Sequence, residues 1–312
     1  VDALPFIVVV IVLFCALMKI RVLFLLIVIS NFLHAQEGPN FPDMRSWAIN
    51  NGDTTDRYIF ADTAFIRSTP DTKLAPTDTL VVGDNITVVG VTSNSLTIRG
   101  IKAPWLKIIY LKNGEQQEGY VWLGLVSCMP LRRGDVKFVY GIERRADSIA
   151  VSSGRRDTIR RYLVRLKIVQ NGNVLAKAAV LTPDDESAGY SGGKLMSGMG
   201  LTNVQNIIVL TFSGEACGIP TYDYYLAWTK SGQLVRFPDK VNIGDADVFS
   251  HSETFIFPNE KNGKPDMIFW KMEVEEATDK VDKDGFSIMK VTDKKSAVYA
   301  WDGVNERLTA SN

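Results

Sequence analysis

From Arg57 to the C-terminus no stretch of this chain sustains a 3.6-residue apolar period, and this constrains its fold more than any other feature. Short runs rich in Val, Ile, Thr and aromatic residues occur instead, such as Asn85 to Val91, Leu106 to Leu111 and Gly119 to Leu123. Between such runs lie turn pairs: Gly83-Asp84, Asn113-Gly114, Asn171-Gly172, Ser231-Gly232, Asn262-Gly263 and Asp302-Gly303. Asn-Gly and Asp-Gly pairs supply the positive φ angles that tight hairpins require. The pattern predicts an all-β chain of antiparallel hairpins, either a sandwich, a barrel or a pair of these. One segment reads both ways. Met272 to Val281, within KMEVEEATDKV, holds good helix formers, while Val274, Thr278 and Val281 suit a strand.

A length of 312 residues favours two domains. Hydrophobic residues at 46% and charged residues at 22% are enough to bury a sizeable core. The net charge is zero, and without residues 1–35 there remain 33 basic against 34 acidic residues. Such a balance provides no field to steer the chain toward nucleic acid or anionic lipid.

Residues 18–36 (MKIRVLFLLIVISNFLHAQ) have the layout of a secretory signal peptide. Lys19 and Arg21 form a basic start, Val22 to Ser30 an apolar run, and Ala35 the small residue before a cut. Residues 1–17 read as translation upstream of a start at Met18. The alternative is one anchor from Pro5 to Leu33, which would place Lys19 and Arg21 mid-bilayer at about 2.5–3.5 kcal/mol each. The signal reading implies an exported protein, periplasmic or at the cell surface, with no membrane span after cleavage. Gln36 rather than Cys follows the cut, so no lipid anchor is expected. Residues 36–56 are polar, contain Pro39 and Pro42, and read as a linker with one helical turn around Met44 to Ile49.

Two cysteines follow the signal, Cys128 and Cys217. In an oxidising compartment they can form one disulfide or remain as buried thiols, and the sequence leaves both open. Arg155 to Arg161 (RRDTIRR) reads as a solvated hairpin tip. Residues 182–203, rich in Gly and Ser, read as a long surface loop. Asp245, Asp247 and the turn from Asn259 to Asp266 are rich in oxygen ligands, but Lys261 sits where a calcium loop needs one, so the turn reads as metal-free.

Residues 57–129 resemble a bacterial SH3-like (SH3b) domain. Four segments in order carry the resemblance: Ala64-Phe65-Ile66-Arg67-Ser68-Thr69-Pro70, Leu80 to Val89 with Gly83-Asp84 at its turn, Trp105-Leu106-Lys107-Ile108, and Gly119-Tyr120-Val121-Trp122. Three departures stand out. Thr69 replaces the usual glycine, Thr92 to Ala103 is long for the family loop, and Lys112 to Glu118 makes a longer hairpin tip. Alternation predicts Phe65, Ile66, Ile86, Val88, Ile108 and Val121 in a small core. Gly119 is expected where the last strand bends into closure.

The resemblance implies an SH3-like small β-barrel followed by a larger antiparallel β domain over residues 130–312. Candidate strands of that second part include Arg161 to Val169, Val174 to Leu181, Val204 to Phe212, Tyr222 to Trp228, Met267 to Glu273 and Ala297 to Trp301. This part resembles uncharacterised secreted bacterial β domains and implies no activity. The family's members are small binding modules, so the chain is expected to be a non-catalytic binding or scaffolding protein of the cell envelope. Its partner would be a cell-wall component or an envelope protein, and Trp105, Tyr110, Tyr120 and Trp122 are the candidate ligand contacts. No cofactor, metal or catalytic residue is expected. The alternative is a cell-wall hydrolase targeted by the module, for which Cys217 is the nucleophile to test and His251 the only candidate base for it. A third reading gives the chain a purely structural place in an envelope assembly.

Overall fold

The computed structural model describes residues 54–311 except 153, 160, 184–186, 188, 189 and 215. The signal sequence, the alternative anchor and the helical turn in the linker lie outside the described residues. Within them the chain is all-β, and no helix is long and apolar enough to cross a membrane.

The N-terminal part contains β1 (Thr55–Tyr58), β2 (Thr63–Ile66), β3 (Asp78–Val81), β4 (Asn85–Ile98), β5 (Ile101–Lys112) and β6 (Glu115–Trp122). Strands β4, β5 and β6 form a meander to which β1 adds, in the order β1-β4-β5-β6, while β2 and β3 form their own hairpin. Arg67 and Tyr120 exchange backbone hydrogen bonds at 3.0 and 2.8 Å, which lays the end of β2 onto β6. A 3-10 turn at Leu123–Leu125 then returns the chain so that Val126 bridges Ile59. Period-2 alternation puts Ile66, Ile86, Val88, Ile108 and Val121 inside, as expected. Phe65 is the exception at 51% exposed, because its neighbour Ile66 takes the inward position. The long Thr92–Ala103 segment extends the β4–β5 hairpin, turning at Arg99 and Gly100 with φ of 53° and 78°.

The next strands are β7 (Leu131–Arg133), β8 (Val136–Arg145), β9 (Ser148–Ser152), β10 (Arg155–Ile159), β11 (Tyr162–Gln170) and β12 (Asn173–Leu181). Four of them form a sheet in the order β12-β11-β8-β7, and β9 and β10 pair as a separate hairpin. The arginine-rich segment is thus an exposed return strand rather than a tip. The last strands are β13 (Tyr190–Ser197), β14 (Val204–Ser213), β15 (Thr221–Thr229), β16 (Leu234–Arg236), β17 (Lys240–Asp245), β18 (Phe249–Ile256), β19 (Met267–Val281), β20 (Ser287–Asp302) and β21 (Arg307–Ser311). They build one nine-stranded sheet, with β16 pairing beside the main path onto β15.

Two expectations resolve here. The ambiguous segment up to Val281 is strand, paired to β18 and β20. The Gly- and Ser-rich segment expected as a loop contains β13, paired with β14 from Tyr190 to Ser197. Gly193 serves packing: a Cβ there would lie 2.8 Å from Leu131 Cδ1 and 3.2 Å from Tyr140 Cε1.

Strands β14 and β15 are buried on both faces. One face (Ile208, Leu210, Phe212, Tyr224, Leu226, Trp228) belongs to a core with Phe138, Tyr140, Ile142, Val164, Leu166 and Ile168 of β8 and β11. The other face (Ile207, Val209, Tyr225, Ala227) packs with Phe237, Phe255, Phe257, Ile268 and Trp301. The first core also includes Ile59, Trp105, Trp122 and Val126, so it runs without a break across residues 129 and 130.

Gly119 is buried where β2 crosses β6, and a Cβ there would fall 2.3 Å from Ile66 Cγ2. Gly119→Ala is expected to cost about 1–3 kcal/mol through overpacking, read as a lower urea midpoint at unchanged m-value.

Candidate functional site

Three of the four aromatic residues proposed as ligand contacts are core residues. Trp105 and Trp122 face each other across β5 and β6 and are 4% and 3% exposed. The Trp122 indole N–H donates to the carbonyls of Leu96 and Ala103, each at 3.0 Å. Tyr110 is buried as well, and its hydroxyl donates to Asp78 Oδ2 at 3.0 Å. Asp78 also accepts from the Thr79 N–H at 2.7 Å and pairs with Lys112. Burial and this carboxylate push the Tyr110 hydroxyl up to about 12. Tyr120 is half-buried, packed against the same core. The aromatic groove expected from sequence is therefore replaced by an aromatic interior. The extended β4–β5 hairpin supplies the carbonyls that let Trp122 turn inward.

An open cleft of about 750 Å³ lies beside this interior, lined by β1, β4, β5 and the β7–β8 hairpin. Ile86, Ile109, Leu111 and Pro130 contribute apolar surface, and Arg57, Arg132 and Lys137 contribute positive charge. Lys137 Nζ donates to Gly83 O at 2.6 Å and Asn85 Oδ1 at 2.9 Å, and lies 4.8 Å from the Tyr58 ring centroid. Burial holds its pKa below the usual lysine range; Asp84 opposes that shift and Arg132 adds to it. Arg57 is half-buried, and burial likewise lowers its pKa. Its side chain donates to the carbonyl of Asp56 at 3.1 Å.

The two acids of the cleft accept hydrogen bonds from neutral donors rather than from its cations. Asp56 Oδ1 accepts from the Thr87 hydroxyl at 2.9 Å, and Asp84 Oδ2 from the Val81 N–H at 2.8 Å. Among the described residues, neither Arg57 nor Arg132 has a carboxylate within ion-pair distance. Sequence reading missed all three cations. Gly134-Asp135 was the available signal, since a two-residue turn there sets Arg132 directly opposite Lys137.

A second cleft, of about 570 Å³, is organised by paired charges. Buried Lys167 donates to Phe60 O at 2.7 Å and Asp62 Oδ1 at 2.8 Å, tying β11 to the segment after β1. The Lys167 hydrogen bond holds the Asp62 carboxyl below the usual range. Arg165 pairs with Glu143 at 2.7 Å in the same cleft.

Cys128 and Cys217 are both free thiols, which corrects the disulfide alternative. Cys128 is fully buried and its thiol is pushed up to about 12 by desolvation, whereas Cys217 is exposed. His251 Nε2 bonds Glu253 Oε1 at 2.9 Å rather than Cys217. The other Glu253 oxygen accepts from the Val241 N–H and the Trp270 indole, each at 3.0 Å. In the oxygen-rich turn, Asp266 accepts from the N–H and hydroxyl of Thr202 at 2.7 and 2.8 Å. Among the described residues no three acid, His or Cys side chains converge as a metal site.

In comparisons with known proteins, the chain matches no family model, no curated protein and no solved structure.

Two outcomes follow from this geometry. Iodoacetamide is expected to label Cys217 in the native protein and Cys128 only after denaturation, read by peptide mass; early labelling of Cys128 would contradict its burial. Asp78 has a folded pKa below its ordinary 3.8, so its stabilisation is present above that value and fades as pH falls through the lower one. Asp78→Asn should therefore lower the thermal midpoint at pH 7 and flatten the wild-type loss of stability below about pH 4.

Proposed function

We propose that this chain is a non-catalytic binding or scaffolding protein of the bacterial cell envelope. In this reading residues 57–129 act as an SH3-like module, exported by the N-terminal signal, that docks a cell-wall component or an envelope protein. The meander β4-β5-β6, the separate β2–β3 hairpin laid onto β6 and the 3-10 turn after it are compatible with such a module. The observation that carries the reading is the open cleft between this module and the β7–β8 hairpin. It joins apolar side chains to charged donors, the mixture that binding sites use for contact area and orientation.

The test is sedimentation with purified cell-wall sacculi. Deleting residues 57–129 is a poor control, because the core they share with β8, β11, β14 and β15 would be opened. Leu111 is a better probe, since it lines the cleft and is 73% exposed. Wild-type protein should pellet with sacculi, and Leu111→Asp should leave most of it in the supernatant with an unchanged thermal midpoint. If the wild type stays soluble, the cell-wall ligand is wrong and a protein partner must be sought. If the suspension clears, and Cys217→Ala abolishes the clearing, the protein is a hydrolase.

A further inference from the structure

Two features of the cleft favour the entry of a negative group. Arg132 and Lys137 are direct cross-strand partners at β7 and β8, an arrangement in which like charges repel. Nothing in the turn requires this pairing; any neutral residue at 132 would relieve it. Arg57 faces the same space from β1, half-buried, with one backbone carbonyl as its acceptor and no carboxylate within ion-pair distance among the described residues. A guanidinium has five N–H donors in a planar fork, so most of this one's capacity is left for a ligand. Asp56 and Asp84 offset only part of the charge of the three cations lining the cleft, so it is left net positive and suited to an incoming anion.

Resting on the binding reading above, we infer that the cleft receives an oxyanion, a carboxylate or phosphate, held by the Arg57 and Arg132 guanidinium groups. Lys137 adds positive field from its fixed position on Gly83 and Asn85. Ile109 and Leu111 provide a wall for the apolar or chain-like body that carries the anion. The ligand would thus be an anionic polymer unit or peptide rather than a neutral glycan. Asp56 and Asp84, already accepting from Thr87 and Val81, restrict how much negative charge the cleft takes.

The experiment uses the whole protein and three small probes at fixed ionic strength: glutarate, inorganic phosphate and uncharged glycerol. Binding is followed by calorimetry and by the thermal midpoint. Glutarate or phosphate should bind and raise the midpoint, glycerol should not, and the stronger of the two anions tells carboxylate from phosphate ligands. Arg132→Gln and Arg57→Gln should each weaken binding about tenfold or more, the factor for one lost charge-assisted hydrogen bond, with Arg57→Lys falling between. Arg132 is exposed, so Arg132→Gln remains decisive if Arg57→Gln fails to fold. Without anion, Arg132→Gln should raise the midpoint, because a repulsion is removed; a residue serving only structure would lower it. Absence of binding by both anions, or binding unchanged in Arg132→Gln, overturns the inference. Sacculi that pellet the wild type and Arg132→Gln alike would sink the anion site and leave the envelope reading standing. Anion binding without pelleting would keep the anion site and remove the cell-wall ligand, leaving an anionic segment of a protein partner to be sought.

Discussion

Everything else in this molecule is arranged around two strands that have no solvent face. Because β14 and β15 bury both sets of alternating side chains, each face needs its own cover. On one side β8 and β11 provide it, with Phe138 meeting the edge of Trp228 at a centroid distance of 5.8 Å. On the other, the same sheet continues through β17 to β20, bringing Phe255, Phe257 and Trp301 over Tyr225 and Ile207. Removing water from two faces of one strand pair doubles the apolar area that a single pair contributes.

The cleft is a by-product of how the N-terminal strands meet this assembly. Apolar contact through Ile59, Trp122 and Val126 fixes that meeting, and the Lys167 bridge to Phe60 and Asp62 sets its angle on one side. On the opposite side β1 approaches the β7–β8 hairpin with three cations lining the gap against two acids, Asp56 and Asp84. The two sides thus use basic residues differently. Lys167 is neutralised and structural, whereas Arg57 and Arg132 keep their charge available.

Much of the strand pattern was legible because period-2 alternation and turn chemistry are local. Asn113-Gly114 and Asn171-Gly172 adopt the paired positive φ angles their types favour. Asp302-Gly303 does not: Gly303 is needed because Thr202 O would lie 2.7 Å from a Cβ there, a fact set by a residue far away in sequence. The same non-locality hid β13, whose Gly193 makes room for Tyr140, and misplaced Trp122, whose indole partner carbonyls come from β4 and β5. Of the cleft, the Arg132–Lys137 juxtaposition could be read from Gly134-Asp135, but Arg57 joins it only through tertiary packing.

The unbroken core has a kinetic side. The N-terminal strands leave the ribosome, or any translocation channel, first, yet the apolar surface around Ile59, Trp122 and Val126 is completed by residues as distant as Trp228. Until those arrive, this surface faces solvent and is open to capture by chaperones or by another nascent chain. Closure over such separations is slow, since the chain must lose its loop entropy before the contacts form. The early strands are thus held in waiting, and the closing of this core is timed by the arrival of β14 and β15.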